Sequence, residues 1–280
     1  AAGDSGGALG ACLAAWHIYL GKERVVDDKK DSMAGSYLGP EYNDSDIKKI
    51  SRRYGATCEY FNDFSKLCSE VSSFIANDNV VGWFQGRMEY GPRALGNRSI
   101  LGNPCSSETQ KKLNLKIKYR EGFRPFAPAV IAEDVKEYFD IEGYSDYMLM
   151  VAPVKKERRK KLPDNYNEMD MYERLYKERS DIPSITHIDF SARIQTVQKD
   201  TNPRFWELIN SFKSKTGYGL LVNTSFNVRG EPVVCNPDEA YRCFMRTEMD
   251  FLVLGNYLFK KTEQPDHDVK DKWEEKFEMD

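Results

Sequence analysis

Three histidines among 280 residues, His17, His187 and His267, leave little material for a nitrogen-ligated metal, and no two form an HxxxH pair. The six cysteines (Cys12, Cys58, Cys68, Cys105, Cys235, Cys243) include no CxxC and have no His at finger spacing. That scatter excludes a zinc ribbon and reads as reduced thiols of an intracellular protein. No GxxxxGK[ST] loop occurs, so a polyphosphate would have to be held by other means. No apolar run is long enough to cross a bilayer, and no basic n-region leads into an apolar core, so a cytoplasmic protein is expected. A formal net charge of -3 supplies no overall basic field, so nucleic acid is not the expected partner. The chain opens on Ala1 rather than Met, and a fragment of a longer protein is expected.

What is present is an ordinary globular composition, 40% hydrophobic and 12% aromatic, sufficient for one substantial core. Charge is unevenly spread. The window Arg87 to Arg124 holds nine basic residues (Arg87, Arg93, Arg98, Lys111, Lys112, Lys116, Lys118, Arg120, Arg124) against Glu89, Glu108 and Glu121. "KKERRKK" carries six basic residues in seven and reads as a solvated insertion spanning Lys155 to Asp181. The residues from 263 onward form an acidic tail.

Elements are expected as follows. A Gly-rich turn at Gly3 to Gly7 leads into a helix from Gly10 to Leu20, and a polar connection with one helix, Asp44 to Tyr54, follows. "VVGWFQ", "RSILGN", "FAPAVIA", "YMLMVAPV", "SARIQTVQ" and "YGLLVNTSFN" read as strands, and "DFLVLGNYLF" as a strand pair. Helices are expected over Ser106 to Ile117, Asn202 to Lys215 and Asp238 to Met245. The alternation predicts an α/β (α+β) fold, one twisted, open, mixed sheet with flanking helices packed on one face.

Four stretches bear chemistry. "QGRMEYGPRALGNRS" places Arg87, Arg93 and Arg98 in a loop whose Gly and Pro residues impose unusual backbone paths. "KIKYREGFRPFAP" adds Lys118, Arg120 and Arg124. Together these stretches predict a clamp of Arg87, Arg93, Arg98, Lys118 and Arg124 around one polyphosphate, although each arginine is equally open to a surface salt bridge. "ITHIDFSARIQTV" offers His187, a base, a donor or a structural histidine, and Arg193. "VNTSFNVRGEPVV" ends an apolar strand in Asn223, Thr224, Ser225 and Asn227, at the strand end where open sheets bind ligands, or else makes a tight turn.

In this order the four stretches resemble the C-terminal region of the NodU/CmcH-type carbamoyltransferases, over essentially residues 1 to 260. The resemblance implies a YrdC-like domain at 70–262, preceded by a linker at 36–69 and, at 1–35, the end of an ATPase-like metal-binding domain. It implies that carbamoyl phosphate and ATP, the latter with Mg, give carbamoyl adenylate, and that the preceding domain passes the carbamoyl group to a hydroxyl-bearing acceptor. Lys118, Arg124 and Arg193 would then be catalytic. Arg87, Arg93, Arg98, His187, Asn223, Thr224, Ser225 and Asn227 would bind substrate or nucleotide. Of the transition-metal site only Asp4 matches, so this chain is expected to perform the adenylation half-reaction at most. The alternative is a non-catalytic YrdC-like module that binds nucleotide or RNA.

Overall fold

In the computed structural model, residues 4–27 and 31–265 are described, with the side chains of residues 4 and 5 left aside. In chain order the elements are α1 (Asp4–Ala14), α2 (Asp44–Tyr54), β1 (Glu59–Tyr60), α3 (Phe64–Ala76), β2 (Val81–Phe84), β3 (Arg98–Gly102), α4 (Ser107–Lys116), β4 (Ala127–Ile131), α5 (Val135–Tyr138), β5 (Val151–Pro153), α6 (Met171–Tyr176), β6 (Ser191–Arg193), β7 (Gln195–Val197), α7 (Pro203–Thr216), β8 (Leu220–Ser225), α8 (Pro237–Arg246), β9 (Phe251–Leu254) and β10 (Tyr257–Lys260). Eight strands form one mixed sheet in the order β1-β10-β9-β2-β3-β8-β4-β7, while β5 and β6 pair separately. Within the large sheet β2–β9 and β4–β7 run parallel and the other neighbours antiparallel.

The central strands are buried along their length because both faces are covered. Side chains alternate between two cores. Phe84, Ile100, Val222 and Leu252 join α2, α4 and α8 on one face, whereas Trp83, Leu101, Leu221 and Val253 meet α3 and α7 on the other. Each such fully buried side chain contributes about 1.5–3 kcal/mol. The expectation of helices on one face is thereby corrected: uninterrupted apolar strands need two covers.

Residues 36–69 also differ from the polar connection expected. Ile47 and Ile50 of α2 enter the core, β1 extends the sheet edge, and α3, unexpected from the sequence, packs along α7. Few apolar residues suffice here because the caps are complete. Asn43 and Asp46 form a reciprocal capping box on α2, and the Asp63 side chain caps α3. "YMLMVAPV" yields only β5, and "SARIQTVQ" divides at Ile194 into β6 and β7. α1 begins at Asp4, ahead of the expected start, and none of residues 6–27 is buried. The basic run is not simply solvated either: Arg158 pairs with Asp181 at 2.8 Å and lies 4.1 Å from the Tyr138 ring, its stem covering apolar surface. The acidic tail beyond residue 265 lies outside the described residues.

Candidate active site

The loop between β2 and β3 folds around a carboxylate of its own. Glu89 is buried, and its Oε1 accepts from the backbone N–H groups of Leu95 (2.6 Å), Asn97 (2.9 Å) and Arg98 (3.2 Å). That path requires Gly96 at φ 108°, where a Cβ would also run into the Phe205 ring. Arg98 is equally committed. Its guanidinium donates to the carbonyls of Gln85 (2.6 Å), Asn97 (3.0 Å), Pro40 (3.1 Å), Gly86 (3.2 Å) and Cys235 (3.4 Å), and stacks 3.6 Å from the Phe84 ring. Burial lowers its pKa to about 10, with Glu89 opposing. Arg98 therefore ties the loop to its surroundings and has no free donor face for a phosphate. Arg87 is exposed and lines neither cavity described below. Both leave the expected clamp.

Arg93 follows a different course. It lines a cavity of about 190 Å³ at the carboxyl end of β8 with Arg120, Arg193, Asn223, Thr224 and Ser225. The Nε atoms of Arg93 and Arg193 are buried without a hydrogen-bond partner. Arg193 has its pKa lowered, first by burial and then by the neighbouring Arg93 charge. A buried guanidinium whose charge is opposed by a neighbouring cation in a poorly solvated space favours an anion beside it.

A second cavity of about 180 Å³ shares Arg120, Thr224 and Ser225 with the first and adds Lys118, Arg124, Asn227 and Arg229. The Lys118 ammonium donates to the Ser225 carbonyl, to Ser225 Oγ (3.2 Å), and to the carbonyl and Oδ1 of Asn227 (2.9 and 2.8 Å). Burial pushes its pKa down to about 7. Arg120 is held between Asn114 Oδ1 (2.7 Å) and the Phe126 ring (4.9 Å). Arg124 is half exposed and pairs with Glu121 at 2.9 Å, a contact weak enough to yield to a ligand. Among the described residues no carboxylate lines either cavity.

Behind the first cavity two amides meet across β4. Asn223 and Gln195 stand opposite Ala127 and Ala129, whose small side chains let them touch. Asn223 Nδ2 donates to the Ala94 carbonyl (3.0 Å) and Gln195 Oε1 (2.7 Å), while Gln195 Nε2 donates to the Leu95 carbonyl (2.7 Å).

The structure thus brings Arg93, Arg193, Asn223, Thr224 and Ser225 to one cavity and Lys118, Arg124, Thr224, Ser225 and Asn227 to its neighbour. His187 is exposed and lines neither, its backbone N–H spent on the Ser191 carbonyl at 2.9 Å. Three contributors were not among the expected site residues. Arg120 stood two residues after Lys118 in the basic stretch, where its role was open to view. Glu89 and Gln195 carried no such signal. The Asp4 side chain lies outside those described, and among the described residues no group of three or more His, Cys, Asp or Glu can hold a metal. These residues do not fit a resident transition metal.

A family model for the carbamoyltransferase C-terminus matches residues 72–261. An uncharacterized protein of Synechocystis is 54% identical over 282 aligned positions, covering 100% of this chain and 46% of that protein. Nodulation protein NolNO of Sinorhizobium fredii is 36% identical, over 93% of this chain and 35% of its own length. The 3'-hydroxymethylcephem-O-carbamoyltransferase of Amycolatopsis lactamdurans is 31% identical, over 93% and 43% respectively. The chain spans less than half the length of each of these relatives. With the model matched over most of its core and relatives of this kind along nearly all its length, the chain belongs to the carbamoyltransferase C-terminal family.

Proposed function

We propose that the two adjoining cavities bind carbamoyl phosphate and ATP and form carbamoyl adenylate, the first half of an O-carbamoyl transfer. The observation that carries this reading is the pair of buried, unpartnered guanidinium Nε atoms, Arg93 and Arg193, in a space with no carboxylate and continuous with a second cationic cavity through Arg120, Thr224 and Ser225. Phosphate loss from carbamoyl phosphate to water leaves carbamate, whose oxygen attacks the α-phosphorus of ATP and expels pyrophosphate. Arg93, Arg120 and Arg193 stabilise the charge that builds on the phosphoryl oxygens, and Lys118 fixes the Ser225–Asn227 turn beneath them. Mg would arrive with the nucleotide, because neither cavity offers it a side-chain carboxylate.

Delivery to a hydroxyl acceptor is assigned to the part of the longer proteins that this chain does not span, and a transition metal with it. One relative is named for O-carbamoylation of a hydroxymethyl group, which supports the acceptor class. The exposed Leu13, Trp16, Ile18 and Leu20 are surfaces that such a part would cover.

Titration with ATP, carbamoyl phosphate and single-stranded RNA at two salt concentrations tests the reading. ATP binding that tightens when carbamoyl phosphate is present is expected. RNA binding that falls steeply with salt and ignores carbamoyl phosphate would replace the enzyme with a binding module.

A further inference from the structure

Every amide around the first cavity is oriented by a backbone carbonyl, which accepts only. The Leu95 carbonyl, already taking Tyr37 Oη at 2.8 Å, faces Gln195 Nε2, so Gln195 Oε1 must point the other way and accept. Asn223 Nδ2 then lies between Gln195 Oε1 and the Ala94 carbonyl, two acceptors. A flip would set oxygen against oxygen at both. Asn223 Oδ1 is left buried and without a partner, on a residue 1% exposed that lines the cavity. An orphaned buried acceptor is costly, and among the described residues nothing supplies a donor to this one, in a cavity that Arg93 and Arg193 also line.

Resting on the adenylation reading above, we infer that Asn223 Oδ1 takes a hydrogen bond from the NH₂ of the carbamoyl group and makes this cavity selective for carbamoyl over acyl donors, with Gln195 as the residue that positions it. The cations recognise the phosphate or carboxylate end and do not discriminate between a terminal NH₂ and a terminal CH₃. Only an acceptor does, since a methyl group leaves it unpaired.

Two stable phosphonates of the same shape separate these contributions: phosphonoacetamide, which ends in NH₂, and acetonylphosphonate, which ends in CH₃. Calorimetric titration of the chain is expected to show phosphonoacetamide binding about tenfold tighter. In Asn223→Leu the two affinities should fall within about twofold of each other, with inorganic phosphate as the reference for the cationic end. Gln195→Met, which leaves Asn223 in place but frees its amide to turn, should shrink the preference as well, and it decides the matter if Asn223→Leu no longer binds phosphate. Equal binding of both phosphonates by the unaltered chain, or a preference that survives in both variants, would overturn the inference while leaving the anion site intact. Failure of all three anions to bind would instead overturn the adenylation reading.

Discussion

In the first cavity Arg93 and Arg193 carry buried Nε atoms with no acceptor, whereas in the second the Lys118 ammonium already holds oxygens of Ser225 and Asn227. Both are walled by cations and share Arg120, yet one has satisfied its charge internally and the other has not. Arg98, five residues beyond Arg93 in the same loop, is an extreme case of the first kind of outcome, its guanidinium consumed by backbone carbonyls. Local acceptors therefore decide the fate of each cation. A cation that reaches carbonyls becomes framework, and one that reaches none keeps its donors for a ligand.

The comparison breaks most readily at Arg98. Arg98→Ala strands several buried carbonyls and should cost about 3 kcal/mol or more in urea denaturation, while Arg93→Ala should change stability by less than about 0.5 kcal/mol. Equal destabilisation by the two would erase the distinction. Gly96→Ala should follow at about 2 kcal/mol, because φ 108° and the Phe205 ring both exclude a Cβ. A neutral result there would mean that the Glu89-centred loop is not held as described.

Lys118 sharpens the contrast through pH. Its folded pKa, about 7, lies below the ordinary lysine value, so between those two values the unfolded chain binds a proton that the folded chain has released. Stability contributed by this residue therefore rises with pH from about 7 upward, and below that value its penalty is constant. Urea midpoints at pH 7 and pH 9 should separate further in the parent chain than in Lys118→Met; an identical separation would place the Lys118 pKa near normal. The smallest effect belongs to Lys161, 89% exposed on the insertion and 3.7 Å from Asp164. Lys161→Ala should leave stability within about 0.5 kcal/mol and ligand binding unchanged, as checked by the same denaturation and titration.

Much of the sheet was legible because its strands are short apolar runs bounded by turn residues, and α2, α4, α7 and α8 fell within a few residues of expectation. α3 was not: it buries Leu67, Cys68, Val71 and Ile75, but these stand among serines and charged residues at the end of a stretch read as a polar connection. α2 was read as a helix, yet that Ile47 and Ile50 enter the core depends on a partner face its own sequence does not reveal. Within the site, polar residues at the end of β8 were readable from strand-end position alone. The division among the arginines was not, since Arg87, Arg93 and Arg98 have the same chemistry in sequence. It is set by Glu89, which bends the loop so that Arg98 turns inward among carbonyls and Arg93 does not.

The most direct measurement is carbamoyl-phosphate-dependent release of pyrophosphate from ATP by this chain, compared with Arg93→Ala at equal urea stability. Release by the parent chain and a loss of about 30-fold or more in the variant are expected, since removing a preorganised oxyanion donor costs about 2–4 kcal/mol. Release that is undiminished in Arg93→Ala would contradict the assignment of the unpartnered arginine cavity as the place where the phosphoryl charge is held.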